Sequence, residues 1–319
     1  MPAKLYDYIY EKLQEPIKVY LNKETKELLE HDCQSFGIST RNEFYNLLVS
    51  NYISEYVDHL EESGKRILSM MDDLIVARNK DEFPAIARKI AWKDATALDS
   101  RERGEYISIR INADNADTIA EMISSAIDNI KVSVFFRNLF LNYLSLPAYR
   151  REQIIFIDSY NTITKALKEG LKISYRNRSR KKSHIFSIYS LEQSDLEFHN
   201  YLIGSFDHVP GAASIKLSSI ETVRIMNEKA SFNDTFEQCY KAMEDNGCQF
   251  GISELKYWKC YLNADELMTY HGHYLDRPAI YRQGSDDKGN WYIFNCSRFQ
   301  LDSFFNAFGE SIKFEECVL

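Results

Sequence analysis

A β-strand cannot satisfy its backbone alone, and the chain places an isolated one near its start. In EPIKVYLN, Ile17, Val19 and Leu21 fall on one face while Lys18, Tyr20 and Asn22 fall on the other. The next stretch is helical. Leu28, Leu29, Asp32 and Phe36 keep helical spacing through KETKELLEHDCQSF, and Gly37 stops that helix. Ser39 or Thr40 then caps a second helix carrying Phe44, Leu47, Leu48 and Tyr52. With no strand beside it in sequence, residues 17–22 require a partner from elsewhere.

A second copy of the pattern supplies one. In YISIRIN, Ile107, Ile109 and Ile111 point one way and Ser108, Arg110 and Asn112 the other, while FYNLLVSNYI from Phe44 aligns without a gap on FFRNLFLNYL from Phe135. Alternating isoleucines and Leu/Phe helices are also ordinary core grammar, so coincidence is the competing reading. The expectation is a duplicated strand-helix-helix unit, residues 16–57 and 105–147, with a helical insert from Glu55 to Arg103. Its strands would pair within one chain or between two copies. The first unit, with GISTRNEF at its turn, resembles the ribbon-helix-helix family. That resemblance implies a two-stranded ribbon whose outward side chains enter a DNA groove and a second helix whose N-terminus holds phosphate. Carried over, Lys18, Tyr20 and Asn22 are readers, Ser39 and Thr40 lie near phosphate, and Arg110 joins from the second strand.

The middle of the chain changes character. Leu171, Ile173 and Tyr175 alternate with Lys172, Ser174 and Arg176 as in a half-buried strand, and the turn after them is dense in one sign of charge. Lys172, Arg176, Arg178, Arg180, Lys181 and Lys182 are uninterrupted by any acid, in a chain whose net charge is -8. A solvated hairpin tip would tolerate such residues, but so many like charges repel unless a polyanion relieves them, and phosphate is the natural ligand. Short strands come next at IFSIY, FHNYLIG, SIKL and TVRIM, separated by turn chemistry, as in a small antiparallel barrel or sandwich.

This order of strand, basic turn, aromatic-Tyr-Leu strand and Lys-Leu segment resembles the WYL domain, a small Sm-like barrel. Asn200-Tyr201-Leu202 falls on the family's Trp-Tyr-Leu, Tyr175 on its first-strand tyrosine and Lys216 on a basic position. The chain departs from the family at Asn200, at Ser219 in place of a second arginine, and at Ser187 near an expected proline. Those positions bear on a small-ligand pocket; the basic surface is untouched by them.

After a short helix, FEQCYKAME, the chain alternates strand and helix as β-α-β-β-α-β from KYWKCYLN to SIKFEEC, the ferredoxin-like order. It also resembles the C-terminal extension that commonly accompanies WYL domains. Tyr257, Trp258, Trp291, Tyr292 and Phe294 could stack bases, but core or a dimer interface is the favoured reading, with Asp286, Asp287, Glu315 and Glu316 nearby. The fold class expected is therefore α+β multidomain: a ribbon-helix-helix-like, α-rich region over 1–150, a WYL barrel over 151–230 fed by a helical lead-in from Tyr149 to Lys168, and a ferredoxin-like extension over 231–319 that serves dimerisation.

Chemistry is sparse. There is no Gly-rich phosphate loop, Gly-x-Ser-x-Gly elbow or His-Glu-x-x-His pair. His271 and His273 with Cys260 and Cys296 match no closed zinc spacing. Arg178 and His184 have the Arg-x5-His spacing of HEPN ribonucleases but flank a hairpin rather than lie on a helix. The six cysteines lack any Cys-x-x-Cys pair and read as reduced thiols, and no segment reads as a signal or membrane span, which places the chain in the cytoplasm. No catalysis, cofactor or metal is expected.

Two classes of function remain. One is a non-catalytic single-stranded RNA-binding accessory protein. The other is a DNA-binding transcriptional regulator with a ligand-sensing WYL domain. The succession of ribbon-helix-helix-like region, WYL domain and extension is similar to the WYL accessory proteins of type VI-D CRISPR systems. That resemblance implies single-stranded RNA as ligand, an RNA-guided ribonuclease as partner and a homodimer. On this reading Arg176, Arg178, Arg180, Lys181 and Lys182 attract phosphates, Tyr175 and Tyr201 stack on bases or pack beneath, and Lys216 and Arg224 extend the basic face.

Overall fold

The strand at residues 17–21 finds its partner within the same chain. The computed structural model describes residues 2–74, 81–96, 104–126, 131–179, 182–194, 197–308 and 312–318, which fall into two units, Met1–Ile155 and Phe156–Leu319.

The first unit runs α1 (Pro2–Leu13), β1 (Ile17–Leu21), α2 (Lys23–Ser35), α3 (Arg41–Leu74), α4 (Phe83–Thr96), β2 (Glu105–Ile109), α5 (Ala113–Ala126), α6 (Val132–Ser145) and α7 (Ala148–Ile155). β1 and β2 pair antiparallel, with Ile17 opposite Ile109, Lys18 opposite Ser108 and Val19 opposite Ile107. When the two strands are aligned by their shared alternation, Lys18 and Ser108 also occupy corresponding places. The pair that is opposed is thus the pair that corresponds, as a local two-fold through the ribbon requires. Ile17, Val19, Leu21, Ile107 and Ile109 are buried on the inner face, and α6 packs against β1. The helices behind the ribbon meet through aromatic rings, Phe44 on α3 lying 6.4 Å from Tyr143 on α6.

Local chemistry explains the boundaries. Asn22 accepts from the Thr25 amide at 2.7 Å and so caps α2. Gly37, at φ 66°, ends that helix, and Thr40 Oγ1 accepts from the Glu43 amide at 3.2 Å to begin α3. The insert expected from Glu55 is continuous with α3, which runs on to Leu74. Gly64 lies in its interior, and one glycine costs a helix only about 1 kcal/mol. There Arg88 of α4 crosses, with its Cγ 3.6 Å from where a Cβ would stand. A buried ion pair ties α7 to α2: Arg151 Nε lies 2.7 Å from Asp32 Oδ2, and Arg151 also donates to the Leu144 and Leu146 carbonyls. Burial next to Asp32 holds the Tyr143 hydroxyl well above the usual tyrosine range.

The helical lead-in is two helices rather than one. α7 ends at Ile155, Phe156 departs from helical geometry at φ -110° and ψ 35°, and α8 (Ile157–Glu169) begins the second unit. The chain continues through β3 (Leu171–Asn177), β4 (Ser183–Gln193), β5 (Asn200–Ser205), β6 (Ala213–Lys216), a 3-10 turn (Leu217–Ser219), β7 (Ile220–Lys229), α9 (Phe236–Asn246), β8 (Tyr257–Tyr261), α10 (Ala264–Gly272), β9 (Ile280–Asp286), β10 (Gly289–Asn295), α11 (Arg298–Phe305) and β11 (Glu315–Cys317). The first five of these strands form one sheet in the order β6-β5-β4-β3-β7 and the rest another in the order β11-β8-β10-β9. All pairings are antiparallel. The molecule is thus α+β, with three antiparallel sheets among the described residues.

The five-stranded sheet is not closed into a barrel by hydrogen bonds, since β6 and β7 do not pair among the described residues. The 3-10 turn joins them directly, so the chain rather than a ladder bridges the two edges. The curl is nonetheless strong. The register shifts between Ile188 and Ser190, and a Cβ on Gly204 would lie 1.9 Å from the Ser187 carbonyl oxygen, so β4 and β5 approach as only glycine permits. α9 packs Phe236, Cys239 and Met243 against Tyr201 and Ile203.

In the last sheet the aromatics divide between faces. Tyr292 and Phe294 join the core formed with α10 and α11, and Trp258 packs against it. By strand alternation Tyr257 and Trp291 lie on the other face, where Lys259 Nζ stands 5.1 Å from the Trp291 ring and 4.9 Å from that of Tyr261. All six cysteines are free. Burial pushes the Cys260 and Cys296 thiols up to about 12. No group of three potential metal ligands occurs among the described residues, nor any helix long and apolar enough to cross a membrane.

Candidate nucleic-acid interface

The curled sheet brings together residues that its strand order separates. Tyr175 and Asn177 of β3, Ser179 of the adjoining turn, His184 of β4, Phe206, Ser214, Ile215 and Lys216 at β6, and Ser219 of the 3-10 turn line a cavity of about 290 Å³. Two strands lie between β3 and β6 in the sheet, so only curvature makes them neighbours. Tyr175 and His184 are opposite one another in register, with ring centroids 5.7 Å apart, and Phe206 closes on His184 edge-on at 6.1 Å. The wall is thus aromatic on one side. On the other it is lined by Ser179, Ser214, Ser219 and Lys216.

Part of the polar rim is already committed. Ser179 Oγ donates to Asn177 Oδ1 at 2.8 Å, Ser214 Oγ to the Cys248 carbonyl and Ser219 Oγ to the Lys216 carbonyl at 2.6 Å. These bonds fix the shape of the rim. They leave the hydroxyl oxygens able to accept and the Lys216 ammonium, which has no ion-pair partner among the described residues, able to meet an anion.

The basic set anticipated from sequence does not converge on this cavity as a block. Lys172 is buried, its Nζ 2.8 Å from Asp207 Oδ1 and 3.5 Å from Glu228 Oε2, and the bond to Asp207 raises its pKa. Arg176 forms a two-bond fork with Glu221 at 2.9 and 3.1 Å. By strand alternation Arg176 lies on the face away from Tyr175, and so does Arg224, which is opposite Ser174. Arg178 donates through Nε to the Ser218 carbonyl at 3.1 Å and lies 5.1 Å from the Phe156 ring, so it braces the turn. Lys182 is exposed in the same turn. Arg180 and Lys181 lie outside the described residues. Tyr201 packs beneath, buried in the core under α9 with its hydroxyl bonded to Glu197, and presents no stacking face.

The positions at which the sequence departs from that resemblance have local roles. Ser219 lines the cavity, and Ser187 accepts from the Ser231 amide at 3.1 Å, fastening the exit of β7. His184, Phe206 and Ser214 were not singled out from sequence as ligand contacts. The alternation that placed Tyr175 inward, extended across the turn, was the available signal for His184.

In the first unit the ribbon's outer face carries Lys18, Tyr20, Tyr106 and Ser108, with Arg110 just beyond the strand, all exposed. Asn22 does not belong to it, because its side chain caps α2. Thr40 is engaged by its own helix, Ser39 is exposed, and Arg41 beside them pairs with Glu30 at 3.2 Å.

No protein-family model matches this chain, and no curated protein matches it in sequence. Among solved structures it is similar to one described as a CRISPR Cas-related protein, at 16% identity and a TM-score of 0.66, over 94% of this chain and 88% of that one. It is also similar to proteasome accessory factor B/C (PafBC) of Arthrobacter aurescens, at 13% identity and a TM-score of 0.30, over 80% of this chain and 45% of that one. The first likeness establishes a shared fold over nearly the whole chain.

Proposed function

We propose that this protein is a non-catalytic accessory protein that binds single-stranded RNA and serves a CRISPR RNA-targeting effector. The observation that carries the reading is the cavity lined by Tyr175, His184, Phe206 and Lys216 beside the basic turn. An unpaired nucleotide offers a flat base and an adjacent phosphate, and a ring-lined cleft with an ammonium at its rim matches both. Lys216, Lys182 and Arg178 attract phosphate, joined by Arg180 and Lys181, which adjoin them in sequence, while His184 and Phe206 take the base against the buried Tyr175. Arg176 and Arg224 serve the far side of the sheet. The fold shared with a CRISPR Cas-related protein supports the setting.

The finer architecture belongs to the same proposal. The five-stranded sheet is a WYL-type, Sm-like curl; the β11-β8-β10-β9 sheet with its two helices is ferredoxin-like and mediates a homodimer; the first unit is an internally duplicated ribbon-helix-helix.

The same cavity also favours a second reading, a DNA-binding regulator whose WYL domain senses a small ligand. One comparison separates them: affinity for an unstructured RNA and for duplex DNA in one buffer, together with RNA cleavage by a type VI effector with and without the protein. Tighter binding of RNA and stimulated cleavage are expected. Equal or tighter binding of a particular duplex, with cleavage unaffected, would replace the proposal by the regulator.

A further inference from the structure

The ribbon of the first unit carries a surface that the sheet cavity does not use. Its outer face sets two tyrosines opposite one another, Tyr20 with Tyr106, at 57% and 52% exposure. Their ring centroids are 6.0 Å apart and their planes inclined by 56°, so the rings meet at an angle and do not cover one another face to face. Lys18 Nζ stands 5.3 Å from the Tyr106 ring. Arg110 is exposed at the end of the same row, with its backbone held in place: its amide donates to Asn42 Oδ1 at 3.0 Å and its carbonyl accepts from Asn46 Nδ2 at 2.9 Å. The one acid on β2, Glu105, is bonded to Lys26, whose ammonium offsets its charge.

We infer that this face is a second polynucleotide site, which binds an unpaired strand by stacking bases on Tyr20 and Tyr106 while Lys18 and Arg110 meet the flanking phosphates. The choice of RNA as the strand rests on the function proposed for the sheet cavity; the stacking geometry does not. Ring faces need base faces, and in a duplex the base faces are covered by their neighbours, so a groove exposes only edges to a ribbon. Groove reading calls for forked donors and acceptors in the middle of the ribbon. Here Asn22 is occupied as a cap and the centre offers Lys18 and Ser108. A cross-strand tyrosine pair also steadies a ribbon, but that role needs only the contact between the rings and is met equally by β-branched residues.

The test uses the full chain and an unstructured RNA carrying 5-iodouridine, crosslinked by light and mapped by mass spectrometry, beside the double variant Tyr20→Ile with Tyr106→Ile. Crosslinks to Tyr20 or Tyr106 are expected. The double variant should bind the RNA about tenfold or more weakly with an unchanged melting temperature, the paired Tyr→Phe changes should restore binding, and Lys18→Gln should lower the salt slope by roughly 0.7. Crosslinks confined to residues 171–219 with less than a twofold loss in the double variant would overturn this site and leave the sheet cavity standing. Crosslinks confined to the ribbon would do the reverse. Crosslinks at neither would end both, and tighter binding of duplex DNA that the double variant abolishes would replace stacking by groove reading.

Discussion

Two pairs of cations on the five-stranded sheet make opposite predictions. Lys182 and Lys216 lie at the turn and at the rim of the cavity without an ion-pair partner among the described residues, whereas Arg176 and Arg224 lie on the far side of β3 and β7, Arg176 forked onto Glu221. If a strand enters the cavity, only the first pair releases counterions on binding. Each phosphate neutralised on a single strand contributes about 0.7 to the slope of log affinity against log salt. Changing Lys182 and Lys216 together to Gln should therefore flatten the slope by roughly 1.4, so that a fourfold rise in salt weakens binding roughly sevenfold less than in the parent. Changing Arg176 and Arg224 to Gln should leave the slope unaltered, and losing the exposed Arg176–Glu221 pair should shift stability by no more than about 1 kcal/mol. Fluorescence anisotropy of a labelled oligouridine over a sodium chloride series reads both slopes. A slope lowered by the far-side pair and not by the rim pair would move the binding surface to the other face of the sheet.

Other consequences concern the scaffold. Arg151→Met removes the guanidinium that neutralises the buried Asp32 carboxylate, and should destabilise the first unit by about 3–5 kcal/mol in a urea titration; adding Asp32→Asn should recover part of the loss, and no recovery would mean that the Arg151 bonds to the Leu144 and Leu146 carbonyls dominate. Gly204→Ala drives a methyl into the Ser187 carbonyl, and a loss of about 1–3 kcal/mol is expected; an unchanged melting curve would show that β4 and β5 can separate there. Five of the six thiols are buried, with burial raising those of Cys260 and Cys296, while Cys317 is half-exposed. Native protein should accordingly react with one equivalent of a thiol reagent and denatured protein with six, and a second fast native thiol would refute the packing of that core.

The parts of the fold that sequence made legible are those governed by short-range rules. The alternation at Ile17–Leu21 and at Tyr106–Asn112 marked both strands, although the second pairs only over Glu105–Ile109, and Gly37 and Thr40 marked the helix turn, because backbone geometry at those points depends on the residue itself. Where the outcome depended on what arrives from elsewhere, sequence was silent. Nothing in α3 tells its helix to stop where the first strand-helix-helix unit was expected to end, and Gly64 in its interior does not break it. Asn22 continued the outward row of β1 in the alternating pattern, yet the same short amide side chain is suited to cap the helix one residue on, and the cap prevails.

The basic segment shows the same limit more sharply. Six cations between Lys172 and Lys182 look like one surface, but a strand turns alternate side chains to opposite faces, and an acid far away in sequence can neutralise any of them. Asp207 takes Lys172 and Glu221 takes Arg176, both from segments that only the folded sheet brings near. Lys216, named from sequence only as an extension of the basic face, lines the cavity from a strand separated from β3 by two others. Charge density along a chain is therefore a weak measure of charge at a site. The stronger signal was the register pair Tyr175–His184, two rings that a hairpin of this length must place side by side whatever the charges of its turn.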